Sequence, residues 1–114
     1  MQNNIRDDIK EFVKEVVARF NPEKIILFGS QTSEKTTTDS DVDLLVVMDF
    51  RGRAYQKAFE IRKSIKRSFP LDLLVRRPDD IVYRLNQGDF FINEIIHNGR
   101  VLYERVDKRV DQKS

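Results

Sequence analysis

The 114-residue sequence predicts a domain of the α/β (α+β) class, in which a small mixed β-sheet is packed by helices. Apolar residues recur at helical spacing through residues 5–20 and again through residues 53–69. Short apolar, β-branched runs bounded by Pro or Gly occupy residues 24–28, 41–48 and 71–75 and predict strands. The unbroken apolar part of the second run is typical of a central strand covered on both faces.

Composition narrows the class of protein. The chain has 21 basic and 19 acidic residues, so its formal charge is only +2, and global charge is poor support for nucleic acid as a direct partner. The absence of cysteine excludes disulfides, thiolate zinc sites and cysteine nucleophiles. The run at 42–48, which is apolar except for Asp43, is far shorter than the roughly 20 residues that cross a bilayer. We expect a soluble, cytoplasmic protein without a membrane segment.

The first half of the chain divides into four segments. The first helix is expected to begin with Asn4 as its N-cap and to end near residues 21–22, before the strand at 24–28. The polar stretch 30–40 is either a loop or a short helix from Ser30 followed by a loop. The second strand follows it at 41–48.

The second half continues the alternation. A helix is predicted over residues 53–69, with a basic face made by Arg62, Lys63, Lys66 and Arg67, and the strand 71–75 follows. That basic face is either an ordinary solvated surface or a contact for nucleic acid or a partner protein.

The last predicted helices are short. Pro78 suits the first turn of a helix whose inward residues are Ile81, Val82 and Leu85. A final helix covers residues 89–97, with Gly99 at its C-terminal cap.

The end of the chain sets the predicted domain limits. Residues 101–103 are expected to add an edge strand. The predicted domain spans residues 1–104, and residues 105–114 form a charged tail that we expect to fray.

Three acidic residues carry the predicted chemistry. Asp41 and Asp43 are two residues apart in a strand, so their carboxylates should project from the same face. Asp72 is the lone charge of the third predicted strand. If that strand neighbours the second, three carboxylates converge, and hard divalent cations such as Mg²⁺ take oxygen ligands of this kind. Two such ions form the clamp used for in-line phosphoryl transfer.

A phosphate site is predicted beside these acids. Gly29 ends the first strand and lets the backbone approach a ligand, while Ser30 can begin a helix with free N–H donors. A phosphate cradle together with metal-binding carboxylates is the arrangement that holds a metal-bound nucleoside triphosphate.

The spacing of these residues resembles a known family. Gly29 and Ser30, ten intervening residues, the Asp41–Val42–Asp43 triplet and a later lone acid resemble the DNA polymerase β-like nucleotidyltransferase superfamily, specifically its minimal nucleotidyltransferase branch. The likeness extends over most of the chain, and its further matching segments are residues 25–30, 40–46, 71–73 and 95–104.

The resemblance implies a role for each matched residue. Asp41 and Asp43 would ligate both metal ions, and Asp72 would complete one metal site and help to deprotonate the acceptor. Gly29 and Ser30 would contact the triphosphate. The implied fold is the nucleotidyltransferase fold, and the implied ligands are Mg²⁺, as two ions, and ATP as substrate.

The resemblance also implies a partner. Minimal nucleotidyltransferases are commonly encoded beside a HEPN-domain toxin, and some transfer AMP from ATP to a tyrosine of that partner. The implied role is the antitoxin of a type VII toxin–antitoxin pair. Two alternatives stay open, namely an antitoxin that neutralises its partner by binding alone and a nucleotidyltransferase that modifies a small molecule.

Other side chains have simpler interpretations. His97 at a predicted helix end is expected to be structural, since a cation there meets the helix dipole favourably. Tyr83, Phe90 and Phe91 are expected to fill the core or an interface, and Asp39 to belong to a turn.

Overall fold

The computed structural model describes residues 5–29 and 41–106. Within them the chain forms a four-stranded sheet with helices on both faces. The bounds are α1 Asp7–Phe20, β1 Lys24–Phe28, β2 Val42–Val47, α2 Ala54–Ser64, β3 Leu71–Arg76, α3 Pro78–Asn86, α4 Phe90–Asn98 and β4 Arg100–Glu104.

The sheet is mixed, which confirms the predicted class. Its strand order is β3-β2-β1-β4. β1 pairs antiparallel with both β2 and β4, whereas β2 and β3 run parallel. β2 is therefore a central strand, as its apolar run predicts, and β4 is the expected edge strand.

Each face of the sheet has its own core. On one face, α1 and the segment from α2 to β3 cover one side of the strands, with Val16, Leu44 and Ile61 completely buried. On the other face, α3 and α4 cover a smaller cluster that includes Leu45 and Ile95. Because Leu44 and Leu45 are adjacent in β2, they lie on opposite faces.

Two helix boundaries differ from the sequence prediction. α1 begins at Asp7 with Arg6 at the N-cap, so the assignment of Asn4 as the cap is wrong. α2 ends at Ser64, not at residue 69, because Ile65 takes an extended backbone conformation. Ile65 and Phe69 are nevertheless buried in the first core. Their apolar spacing is the same as that of a helix face, which is why the sequence predicted a longer helix. Lys66 and Arg67 consequently lie beyond α2 and do not extend its basic face.

The two helices on the second face agree better with prediction. Pro78 occupies the first turn of α3, and Asp89 caps α4 by accepting a hydrogen bond from the Ile92 N–H at 3.0 Å. Ile81 is buried as expected, but Val82 is 58% exposed, so its inward placement was wrong. In α3, Ile81 is buried against the sheet and Leu85 is partly buried there.

Gly99 is the C-cap of α4, as predicted, although its backbone is extended and not left-handed. A Cβ atom there would lie 2.5 Å from the Ile95 carbonyl oxygen and 2.6 Å from Ile26 Cγ2. Close packing of the helix end against β1 therefore requires glycine at this position.

Candidate active site

The parallel pairing of β2 and β3 places two of the predicted acids side by side. Asp43 and Asp72 are register partners, and Val42 N–H donates to the Pro70 carbonyl at 2.9 Å to join the starts of the two strands. Side chains of register partners project to the same face of a sheet. The shared face is the one that α3 and α4 cover, because Leu45, two residues after Asp43, packs in their cluster.

Asp41 lies just before β2 and is exposed. Partial burial raises the pKa of the Asp43 carboxyl. The negative charges of Asp72 and Asp41 raise this pKa further. Each of these causes disfavours the ionised form. The structure therefore gathers the three predicted acids into one electrostatically coupled group centred on Asp43.

Gly29 lies against the same carboxylate. Its φ is +75°, a left-handed conformation that glycine adopts at little cost. A Cβ atom built on Gly29 would collide with the Asp43 carboxylate, and it would lie 3.0 Å from Asp43 Cγ. Phe28, the residue before it, is the register partner of Asp43 on β1. The end of β1 and the acids therefore form one site, while Ser30, Asp39 and the rest of 30–40 lie outside the described residues.

The donor chemistry of this group fits a divalent cation. All three side chains are carboxylates, the hard oxygen ligands that Mg²⁺ prefers, and a cation would relieve the repulsion that raises the pKa of Asp43. In residues 5–29 and 41–106, however, no three acidic or histidine side chains are arranged to hold a metal ion together. The assignment of Asp41, Asp43 and Asp72 as metal ligands stays a prediction.

A cleft adjoins the acids on the side of α4. It has a volume of about 340 Å³, and Phe28 and Gly29 form its β1 wall. The Phe91 ring meets the Phe28 ring edge to face, with centroids 5.9 Å apart. The other lining residues are Glu94, Ile95, Asn98 and Gly99. Sequence reasoning missed this cleft, although the spacing of Phe91, Glu94 and Asn98 along one face of a helix was a usable signal.

The predictions for two aromatic residues and for the histidine have different outcomes. Tyr83 and Phe90 are 63% and 81% exposed, so neither fills the core. The His97 Nδ1 lies 2.9 Å from the Asn93 carbonyl oxygen, one turn earlier in α4, which agrees with a structural role.

A larger groove lies elsewhere on the described surface. Its volume is about 1050 Å³, and it runs between α2, the edge strand β3 and α3. Its charged lining includes Arg62, Arg77 and Arg84, but none of the predicted site acids. The larger groove is therefore separate from the predicted catalytic acids.

Comparison with known proteins agrees with the fold. Residues 8–108 match the family described as Polymerase beta, Nucleotidyltransferase. A crystal structure of a candidate nucleotidyltransferase from Sulfolobus solfataricus superposes with a TM-score of 0.59 at 19% identity, covering 86% of this chain and 78% of that one. No protein of curated function matches the chain.

The fold and the acids beside a glycine turn define a nucleotidyl-transferring domain. The chain belongs to the polymerase β-type nucleotidyltransferase family, because the family match covers nearly all of its length. Members of this family generally use a divalent metal ion and a nucleoside triphosphate. None of the helices in the described part of the chain is both long enough and apolar enough to span a membrane.

Proposed function

We propose that this protein transfers AMP from ATP to a tyrosine hydroxyl of a HEPN-domain toxin and thereby acts as its antitoxin. The observation that carries the transferase part is the pairing of Asp43 with Asp72 directly beside Gly29. This arrangement offers carboxylate oxygens and a tight backbone corner to a single triphosphate. The antitoxin role, the HEPN partner and the tyrosine rest on the resemblance to minimal nucleotidyltransferases.

In the proposed reaction, the acceptor oxygen attacks the α-phosphorus of ATP. A new phosphorus–oxygen bond forms, the bond to pyrophosphate breaks, and pyrophosphate leaves on the opposite side. The proton of the hydroxyl passes to the carboxylate of Asp72, the more exposed member of the Asp43–Asp72 pair. Mg²⁺ held by Asp41, Asp43 and Asp72 would supply positive charge against the triphosphate and the carboxylates.

Exposed apolar side chains on α3 and α4 favour a protein as the acceptor. Val82, Tyr83 and Phe90 lie on α3 and α4 and are each more than half exposed. Phe90 directly precedes Phe91, which lines the cleft beside Gly29. Exposed large apolar residues are typical of a surface that another protein covers when they form a contiguous patch.

The test is transfer of label to the partner. Purified protein is incubated with Mg²⁺, ATP labelled at the α-phosphate and the HEPN-domain protein that the proposal expects to be encoded beside it. The partner is then analysed for label and for the modified residue. We expect label on a tyrosine, none from ATP labelled at the γ-phosphate, and a loss of roughly a hundredfold or more for Asp43→Asn.

The control variant is Asp49→Asn, which changes an exposed acid beyond the opposite end of β2. It should transfer label at the wild-type rate. Equal labelling by Asp43→Asn and wild type would contradict the catalytic role of this carboxylate. If the partner is never labelled but Asp43→Asn still protects cells from it, the protein neutralises by binding alone. Labelling of a small molecule, with the partner unlabelled, would support the remaining alternative.

A further inference from the structure

The cleft on the α4 side of Gly29 has the size and the walls of a ligand site. Its volume of about 340 Å³ is at the lower end of the range for small-molecule pockets, enough for one heterocyclic base with part of its sugar. One wall is the end of β1, and the other is the face of α4 that carries Phe91, Glu94 and Asn98.

The cleft and the acids share a wall. Gly29 lines the cleft and also abuts the Asp43 carboxylate. Phosphates at the acids and a base in the cleft would therefore both lie next to Gly29.

The aromatic wall suits a planar ring. The Phe28 ring meets Phe91 edge to face at an interplanar angle of 83°. Because Phe91 stays 52% exposed, it retains surface on which another ring can stack. Stacking on an aromatic side chain is a common source of affinity for nucleobases.

Two polar side chains are available at the same wall. Glu94 and Asn98 lie one turn apart on α4, and neither side chain forms a hydrogen bond or an ion pair with any residue within 5–29 or 41–106. An asparagine amide offers a donor and an acceptor, which match the exocyclic amine and the adjacent ring nitrogen of adenine. A carboxylate accepts from an exocyclic amine, whereas the corresponding carbonyls of guanine and uracil would face its negative charge.

We propose that this cleft binds the base of the nucleoside triphosphate and selects adenine over guanine. Phe91 stacks on the purine, while Asn98 and Glu94 accept hydrogen bonds from its amino group, with the Asn98 amide also donating to a ring nitrogen. The inference rests on the proposed transferase function, since it concerns the substrate of that same site.

Calorimetric titration with Mg²⁺ tests the assignment without any turnover. The probes are the α,β-methylene analogues of ATP and GTP, which cannot transfer the nucleotidyl group, and inorganic tripolyphosphate, which has no base. We expect the ATP analogue to bind roughly tenfold or more tightly than the GTP analogue.

Variants separate stacking from recognition of the base edge. Phe91→Ala should weaken both analogues by roughly tenfold and leave tripolyphosphate unchanged. Asn98→Ala should remove most of the preference for ATP over GTP. The matched control is Phe59→Ala, which truncates an exposed phenylalanine on α2 that does not line the cleft, and should bind all three probes as wild type does.

The outcomes distinguish this inference from the proposed function. If wild type binds neither analogue nor tripolyphosphate, the triphosphate site itself is absent and both ideas fail. If the probes bind but Phe91→Ala and Asn98→Ala match wild type, the transferase proposal stands and the base lies elsewhere. Circular dichroism and thermal melting of each variant without ligand identify any loss that comes from unfolding.

Discussion

Asp43 is the residue at which the features of the site meet. It has Asp72 beside it on β3, Phe28 beside it on β1 and Gly29 against its carboxylate. Partial burial opposes ionisation of this carboxyl group, and the negative charges of Asp72 and Asp41 oppose it further. Without metal, the ionised carboxylate of Asp43 therefore destabilises the folded protein. Substitution of Asp43 can measure the sign of this effect.

Asp43→Asn should stabilise the metal-free protein at neutral pH. The raised pKa of Asp43 means that the folded state holds its proton more tightly than the unfolded state does. The free energy of unfolding of wild type therefore falls as pH rises from the ordinary carboxyl pKa, about 3.8, through the raised value. The variant lacks this loss, so its advantage in urea unfolding should be near zero in acid and largest at neutral pH.

Magnesium provides the matching control for that prediction. Mg²⁺ should raise the melting temperature of wild type and should raise that of Asp43→Asn less, because the cation offsets charge that the variant no longer has. A wild type that is more stable than Asp43→Asn at neutral pH without metal would contradict the proposed repulsion.

Gly29→Ala should damage both stability and nucleotide binding. The substitution puts a Cβ atom into the Asp43 carboxylate and imposes the cost of a left-handed non-glycine residue, about 1–3 kcal/mol. Gly88→Ala is the control, since Gly88 has φ +77° but has no atom within 4 Å of its built Cβ. Urea unfolding should show a larger loss for Gly29→Ala, and only that variant should lose Mg²⁺-dependent binding of the ATP analogue.

For the three acids, sequence spacing predicted some of the positions, and strand pairing decided the rest. Strand alternation predicted that Asp41 and Asp43 would lie near each other, and the structure agrees in placing both charges close together. The position of Asp72 depended on an assumed pairing between strands that are 24 residues apart at their closest ends. That pairing comes from the register of β2 with β3, which local spacing does not contain.

Among the secondary-structure elements, α4 connects the fold to the candidate site. Asp89 caps it by accepting from Ile92 N–H and also accepts from Arg84 of α3 at 3.2 Å, so one side chain links the two helices. These hydrogen bonds, that of the Ile92 backbone first, lower the pKa of Asp89. The stabilisation is therefore present above the ordinary carboxyl pKa and is lost as pH falls through the lowered one.

Asp89→Ala should lower the melting temperature by a few degrees at neutral pH and weaken binding of the ATP analogue, because α4 carries the cleft wall. Asp89→Asn is the informative comparison, since asparagine also caps helices. It should retain most of the stability at neutral pH. If Asp89→Ala melts as wild type does, the cap does not hold α4 in place.

The contrast between α2 and β1 shows where element prediction works. The strand at residues 24–28 was predicted with its observed limits, since Pro22 and Gly29 punctuate a short β-branched run. The end of α2 was not, because Ile65 and Phe69 are buried for a reason other than helix periodicity. Burial of an extended segment against the sheet produces an apolar spacing that a helix also produces.

For the molecule as a whole, the sheet divides the interior into two cores with different tasks. Leu44 faces the core beneath α1, and Leu45 faces the core beneath α4, although both are fully buried in β2. The second core supports the cleft wall, whereas the first lies behind the sheet.

Leu44→Ala and Leu45→Ala form a matched pair across the sheet. Each should lower the free energy of unfolding by about 2–5 kcal/mol, the usual cost of a cavity in a packed core. Under conditions where both remain folded, only Leu45→Ala should also weaken the ATP analogue, because its cavity lies beneath the helices that flank the site. Equal binding by the two variants would show that the second core does not position the cleft.

The amino-acid pattern alone was enough for the class of fold, the strands and the polymerase β-type family, because these depend on hydrophobic periodicity and on short motifs with fixed spacing. The register of β2 and β3, the contact of Gly29 with Asp43 and the cleft against α4 needed the folded chain. Each of them joins segments that are distant in sequence, and strand pairing and helix packing on the sheet are set by the interior as a whole.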